Sequence, residues 1–251
     1  TRRFLVGRRL RLAVTLAACR SADVVVALSQ AAADAFWENL GVRAPVIHPG
    51  VDVNWFSPGG PREEDPLIFC NASPALEYKR VPLLLRAMPI IRRSRPSARL
   101  LLLRPSDEAL AARLTADHPW LELAAPAPGG DDALLRDSYR RAWVSALPSL
   151  GEAFGLVLVE SLSCGRPVVG TASGGIPEII DRPEVGRLFE GDEHAVAAAL
   201  LEALELAQAP ETEQTCRSRA LELSRQRMAE AYEDLYRAYS PTAKLTPSSE
   251  M

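Results

Sequence analysis

Two carboxylates, Glu152 and Glu160, stand with seven residues between them in the stretch PSLGEAFGLVLVESLSCGRPVVGTASGGIPEII, which runs from Pro148 to Ile180. Glu152 lies in a turn between Gly151 and Gly155, and Glu160 follows the apolar run from Leu156 to Val159. Val157 and Val159 would suit a strand, but the distance to Gly165, about ten residues, favours a buried helix. Gly165 followed by Pro167 is a helix stop: a left-handed cap residue, then one that cannot continue the helix. Glu152 then precedes the helix and Glu160 lies inside it. An eight-residue offset taken as helix rises about 12 Å, comparable with the reach of a nucleotide-diphosphate-sugar from sugar to ribose. The helix N-terminus between the acids has unpaired N–H groups and a positive dipole end, which suits a diphosphate. Carboxylates at either extremity can accept hydrogen bonds from hydroxyls.

The whole string resembles the motif of retaining nucleotide-sugar glycosyltransferases of family 4, which have the two-Rossmann-domain GT-B fold. Glu152, Phe154-Gly155, Glu160, Cys164-Gly165, Pro167-Val168-Val169 and Gly174-Gly175-Ile176-Pro177-Glu178 match that pattern in order. The resemblance implies that Glu152 contacts sugar hydroxyls, with Ala153, Phe154, Gly155 and Leu156 near sugar and phosphate, and that Glu160 accepts from the ribose. It also implies transfer on one face of the sugar, the diphosphate helping to deprotonate the acceptor, with neither a metal nor another cofactor. By the resemblance the catalytic roles fall to Glu152, at the sugar, and to Lys79, which with the helix start stabilises the charge of the leaving diphosphate. No nucleophile is expected, and two-carboxylate hydrolase logic does not transfer to this pair.

Asn71 to Arg80, NASPALEYKR, follows an apolar run and precedes a helix with Pro82 in its first turn. Lys79 can act there as a point charge on phosphate. The family usually places a Gly-Arg early in this loop and a Lys late. Lys79 matches the Lys, but no Arg stands between Asn71 and Tyr78. Either Arg80 substitutes, or backbone amides do, or the diphosphate is held more weakly. A solvated Lys-Arg pair is the plain alternative. Gly174-Gly175 reads as a turn closing over the donor. The Gly-rich turn the family often has near Leu103-Arg104-Pro105-Ser106 is missing, so the sequence leaves the base unspecified.

Alternating elements must position these residues. Strands are expected at 67–70, 98–103, 121–124, 143–147, 167–170 and 187–189. Helices are expected at 81–93, 106–116, 132–141, 155–164 and 177–181, then at 192–208 and 211–239. The alternation argues an α/β fold with a doubly wound parallel sheet. Ligands bind such sheets at the carboxyl ends of the strands, where segments 71–80 and 148–176 both fall. Upstream, Val24–Leu28 reads as a buried strand and Ser29 as the N-cap of a helix ending at Gly41. Residues 42–47 read as a further strand. By the resemblance, 1–50 is the tail of an N-terminal acceptor domain, and 51–66, with its Pro and Gly residues, is an interdomain linker. Residues 67–225 form the donor-binding Rossmann domain. Residues 226–251 hold a crossing helix and a polar tail expected to be disordered.

The chain has 251 residues, 47% of them apolar, enough for one full core but short for two complete domains. A net charge of −3 gives no electrostatic footprint for nucleic acid. Arg86, Arg92, Arg93, Arg95 and Arg99 lack interleaved aromatics and read as a solvated face. Cys19, Cys70, Cys164 and Cys216 are scattered without metal or disulfide-framework spacing, which favours structural thiols in a reducing, cytoplasmic compartment. His48, His118 and His194 lack ligand spacing and read as surface or turn residues. No apolar run reaches the length of a membrane span. The opening TRRFLVGRRLRLAVTLAACR reads as a basic amphipathic helix rather than a signal peptide, and makes peripheral contact with an anionic inner membrane face a candidate role.

The expected protein is the donor-binding half of a retaining, hexosyltransferase-type enzyme, with a nucleotide-diphosphate-sugar as donor and a glycan, lipid or small molecule as acceptor. The rivals are a non-catalytic nucleotide-sugar-binding module, an inactive fragment lacking the acceptor domain, and another GT-B enzyme such as an epimerase or phosphorylase. The Phe-Gly after Glu152 speaks against the last.

Overall fold

The computed structural model describes residues 9–124 and 132–239. Its sheet is built from six short, mainly apolar strands: β1 (Leu67–Cys70), β2 (Arg99–Leu103), β3 (Leu121–Ala124), β4 (Val144–Leu147), β5 (Val168–Thr171) and β6 (Gly186–Phe189). β1, β4 and β5 are buried along their whole length, as a sheet covered by helices on both sides requires. All pairings are parallel, in the order β3-β2-β1-β4-β5-β6. The winding reverses between β1 and β4, which opens a crevice at their carboxyl ends.

The helices are α1 (Arg9–Ser21), α2 (Gln30–Leu40), α3 (Val81–Ser94), α4 (Glu108–Asp117), α5 (Asp132–Arg141), α6 (Leu156–Ser163), α7 (Glu193–Leu206), α8 (Thr212–Glu222) and α9 (Arg225–Tyr239). α3 packs against α7, and α6 packs against both α5 and α8. Leu84, Met88, Ile91, Leu158, Leu162 and Leu200 of these helices are wholly buried with the strands in one core.

Several expectations need correction. Residues 24–28 and 42–47 are not buried strands: a single parallel bridge joins Ala27 to Val46, and Leu28 is exposed. Their apolar runs have only each other to pair with among the described residues. The span 211–239 is two helices, because the backbone of Ser224 leaves the helical path to bridge Val51. Residues 177–181 carry only the 3-10 turn Ile176–Glu178. Of residues 51–66, expected as an interdomain linker, Val51, Val53 and Phe56 lie in the main core. The polar tail, the opening residues 1–8 and residues 125–131 lie outside the described residues.

α1 has no buried residue among those described, with Leu12, Leu16 and Cys19 half-buried and Val14 exposed. Of the arginines expected on a solvated face, Arg86 is exposed and pairs with Glu193, while Arg99 is half-buried against Glu63 and Glu122. No helix of the described residues is long and apolar enough to cross a membrane. Cys70, Cys164 and Cys216 are buried, and desolvation pushes each thiol up to about 12. Since thiolates rather than thiols react, a disulfide reagent should label Cys19 first and the other three only on unfolding. Rapid modification of more than one thiol in the native protein would contradict this packing.

Candidate functional site

The loops after β1 and β4 flank the crevice, so Lys79 and Glu152 meet across it. Lys79 closes a 3-10 turn, Glu77–Lys79, and Arg80 beyond it takes the left-handed conformation, φ 53°. Glu152 sits between Gly151, φ 68°, and Gly155, φ 113°, the residue that caps α6. The Lys79 ammonium donates to Glu152 Oε2 at 2.8 Å, and both side chains are mostly buried, 17% and 19% exposed. The Tyr78 carbonyl accepts from the Leu150 amide at 2.9 Å, which fixes the two loops to each other.

A third loop, after β5, completes the rim. The Gly175 amide donates to the Glu152 carbonyl at 3.0 Å. A Cβ at Gly174 would lie 2.2 Å from that same carbonyl oxygen, and one at Gly175 would lie 2.6 Å from the Ala153 carbonyl. The paired glycines are therefore a close-approach device that seats the Glu152 turn.

Glu160 lies in the second turn of α6 and is half-buried. Only part of the eight-residue offset is helical, because α6 begins at Leu156. The Tyr139 hydroxyl donates to Glu160 Oε2 at 2.6 Å and accepts from Asn71 Nδ2 at 3.0 Å. The loop that begins with Asn71 and ends with Lys79 thus touches the surroundings of both acids. Among the other expected residues, Ala153 and Leu156 are exposed on the same rim, while Phe154 and Gly155 are buried. Arg80 is not brought to the Lys79–Glu152 pair; its guanidinium donates to the Gly191 carbonyl at 2.9 Å.

The sequence reading missed the role of His48. Its ring stacks on Phe154, with centroids 5.1 Å apart and planes 22° apart, and its Nε2 lies 2.9 Å from Glu178 Oε2. Glu178 also accepts from the Gln30 and Ala31 amides, at 2.9 and 3.2 Å, at the N-terminus of α2. Ser29 does cap α2, accepting from the Ala32 amide, and its hydroxyl donates to the Ala153 carbonyl at 2.7 Å. A carboxylate there complements the helix dipole. Between α2 and the Gly151–Ala153 turn lies a cavity of about 370 Å³, with Glu152, Leu28 and Phe36 in its wall. Among the described residues, no three His, Cys, Asp or Glu side chains gather as a metal site would require.

A profile of the family "Glycosyl transferases group 1" matches residues 65–206, the span that carries all three rim loops. The chain belongs to that family. It is 34% identical over 181 residues to a D-inositol 3-phosphate glycosyltransferase of Corynebacterium kroppenstedtii, covering 63% of this chain and 40% of that protein. Against the enzyme of the same description from Thermobispora bispora, identity is 35% over 187 residues, covering 65% of this chain and 42% of the relative. The chain thus spans about two fifths of the curated relatives it matches. Sucrose-phosphate synthase from Thermosynechococcus elongatus superposes with a TM-score of 0.77 at 26% identity, covering 92% of this chain and 61% of that one. An Anabaena protein solved with UDP and glucose superposes at 0.68 and 20% identity, covering 90% and 67%, which supports the fold. The family member is therefore an α/β chain with a GT-B-type, all-parallel sheet.

Two substitutions test this construction. Gly175→Ala should cost about 1–3 kcal/mol, since backbone must shift to admit the methyl group. Glu178→Ala should cost a similar amount, roughly 1–3 kcal/mol, by removing a charged acceptor from two helix amides and His48. Urea midpoints unchanged from the parent protein would refute either assignment.

Proposed function

We propose that this chain supplies the donor half of a retaining glycosyltransferase that takes a sugar from a nucleotide-diphosphate-sugar. The observation that carries the reading is the convergence of Lys79, Glu152 and Glu160 around one loop, 71–79, at the carboxyl rim of the sheet. Lys79 and the N-terminus of α6 hold the diphosphate, Glu152 takes sugar hydroxyls, and Glu160 takes the ribose. The anomeric bond to the diphosphate oxygen breaks, and an acceptor oxygen bonds to the same face of the sugar. The acceptor's proton passes to the departing diphosphate, whose charge Lys79 and the helix amides stabilise. The cavity beside Glu152 lies on the sugar's side of the site and fits the approach of an acceptor. The donor sugar is a hexose and the acceptor a glycan, lipid or small molecule.

The relatives' names support a phosphorylated or hydroxyl-rich small acceptor as readily as a glycan. The partial coverage of those relatives supports a second reading, a nucleotide-sugar-binding module without transfer. Assaying the purified chain for nucleotide-sugar hydrolysis alongside a binding titration separates the two.

Glu152 holds Lys79, so donor and carboxylate compete for one ammonium. Lys79→Ala should weaken bare UDP, ADP or GDP at least about tenfold by removing a charge-assisted contact. Glu152→Ala should leave the bare nucleotide bound as tightly or more tightly, yet weaken the nucleotide-sugar. Glu160→Ala should weaken both. Calorimetry giving equal losses of bare nucleotide in the two glutamate variants would defeat this division of roles.

A further inference from the structure

Tyr139 sits in α5, whose sequence shows it only as one more aromatic on the core side of a helix. In the structure it is wholly buried, and its ring is held edge-on between Phe56 and Phe69, with centroids 5.9 and 5.0 Å away. Two rings crossing it at steep angles leave its hydroxyl little freedom to move. That hydroxyl has one proton and two neighbours. Asn71 Nδ2 can only donate, so the hydroxyl accepts there at 3.0 Å, and its own proton goes to Glu160 Oε2 at 2.6 Å. Burial, reinforced by the Glu160 charge, holds the phenol well above its ordinary pKa, so it stays a donor throughout the physiological range.

We propose that Tyr139 is a positioning residue: directed by Asn71, its hydroxyl fixes the plane of the Glu160 carboxylate for a ribose diol. This deepens the reading above and rests on it. A glutamate on a helix has several open rotamers. An O–H···O⁻ bond from a clamped phenol selects one of them, and such charge-assisted bonds are the strong kind. Asn71 gives the arrangement a second property. It begins the loop that ends in Lys79, so a displacement of that loop reaches Glu160 through Tyr139. The grip on ribose and the grip on diphosphate are thereby linked, although Glu160 and Lys79 lie on different elements.

The experiment is a calorimetric titration with UDP, ADP and GDP and with their 2′,3′-dideoxy counterparts. Tyr139→Phe keeps the ring and removes only the hydroxyl. It should weaken the best-bound ribonucleotide by about tenfold, leave the dideoxy form unchanged, and add nothing in a Glu160→Ala background. Asn71→Ala, which spares the core entirely, should give a smaller loss with the same dependence on ribose hydroxyls. Equal losses for ribo and dideoxy probes, or full additivity with Glu160→Ala, would mean a merely structural tyrosine and overturn the proposal. If Glu160→Ala discriminates the two probe classes and the Tyr139 and Asn71 variants do not, the relay fails while the ribose reading stands. If Glu160→Ala fails to discriminate them, or the parent chain binds none of the probes, the ribose reading fails and the proposal falls with it.

Discussion

Two stretches of main chain touch where no side chain could fit. Gly174 and Gly175 press against the carbonyls of Glu152 and Ala153, and a methyl group at either position would collide with backbone. Backbone cannot swing aside as a side chain can, so this contact seats the turn that carries Glu152. The rest follows from it. Glu152 faces Lys79, Phe154 lies beneath His48, and the 3-10 turn that starts just after Gly175 presents Glu178 to α2. The motif Gly-Gly-x-Pro-Glu acts first as a mould for its neighbour.

The topology explains why the partners come from these loops. In a parallel sheet wound 3-2-1-4-5-6, only the strands on either side of the reversal send their following loops apart, leaving a crevice between them. The loops after β1 and β4 carry Lys79 and Glu152. Each charge is largely withdrawn from water, which is costly unless the other compensates it. The two charges therefore hold each other across the crevice; on the reading proposed above, the ammonium faces a phosphate and the carboxylate faces hydroxyl groups. On that reading a bound donor replaces one anionic partner of Lys79 by another rather than assembling the site afresh.

Much of this was legible in sequence, for identifiable reasons. The core strands emerged within about a residue of their bounds because double-sided burial demands uninterrupted apolar runs. The local placement of Lys79 at a turn end, Glu152 in a turn and Glu160 in a helix was readable because helix and turn signals surround them. The same logic failed at 24–28 and 42–47, where an apolar run looks alike whether it joins a sheet or makes one bridge. His48 was misread because its partner Glu178 lies 130 residues away, and no local spacing encodes that distance. Tyr139 was invisible as a polar residue because only the fold shows what its hydroxyl meets. Arg80 stood next to Lys79 in sequence and still went elsewhere, since its left-handed backbone turns the chain into α3.

Glu178 reads α2 through main-chain amides, and those belong to no particular residue type. Positions 30 and 31 can drift through nearly the whole alphabet, proline excepted at both, without loosening the joint. Position 178 has no such latitude. The joint is thus constrained on one side only, so segments 148 residues apart can stay mated while leaving no paired changes for comparative sequence statistics to find.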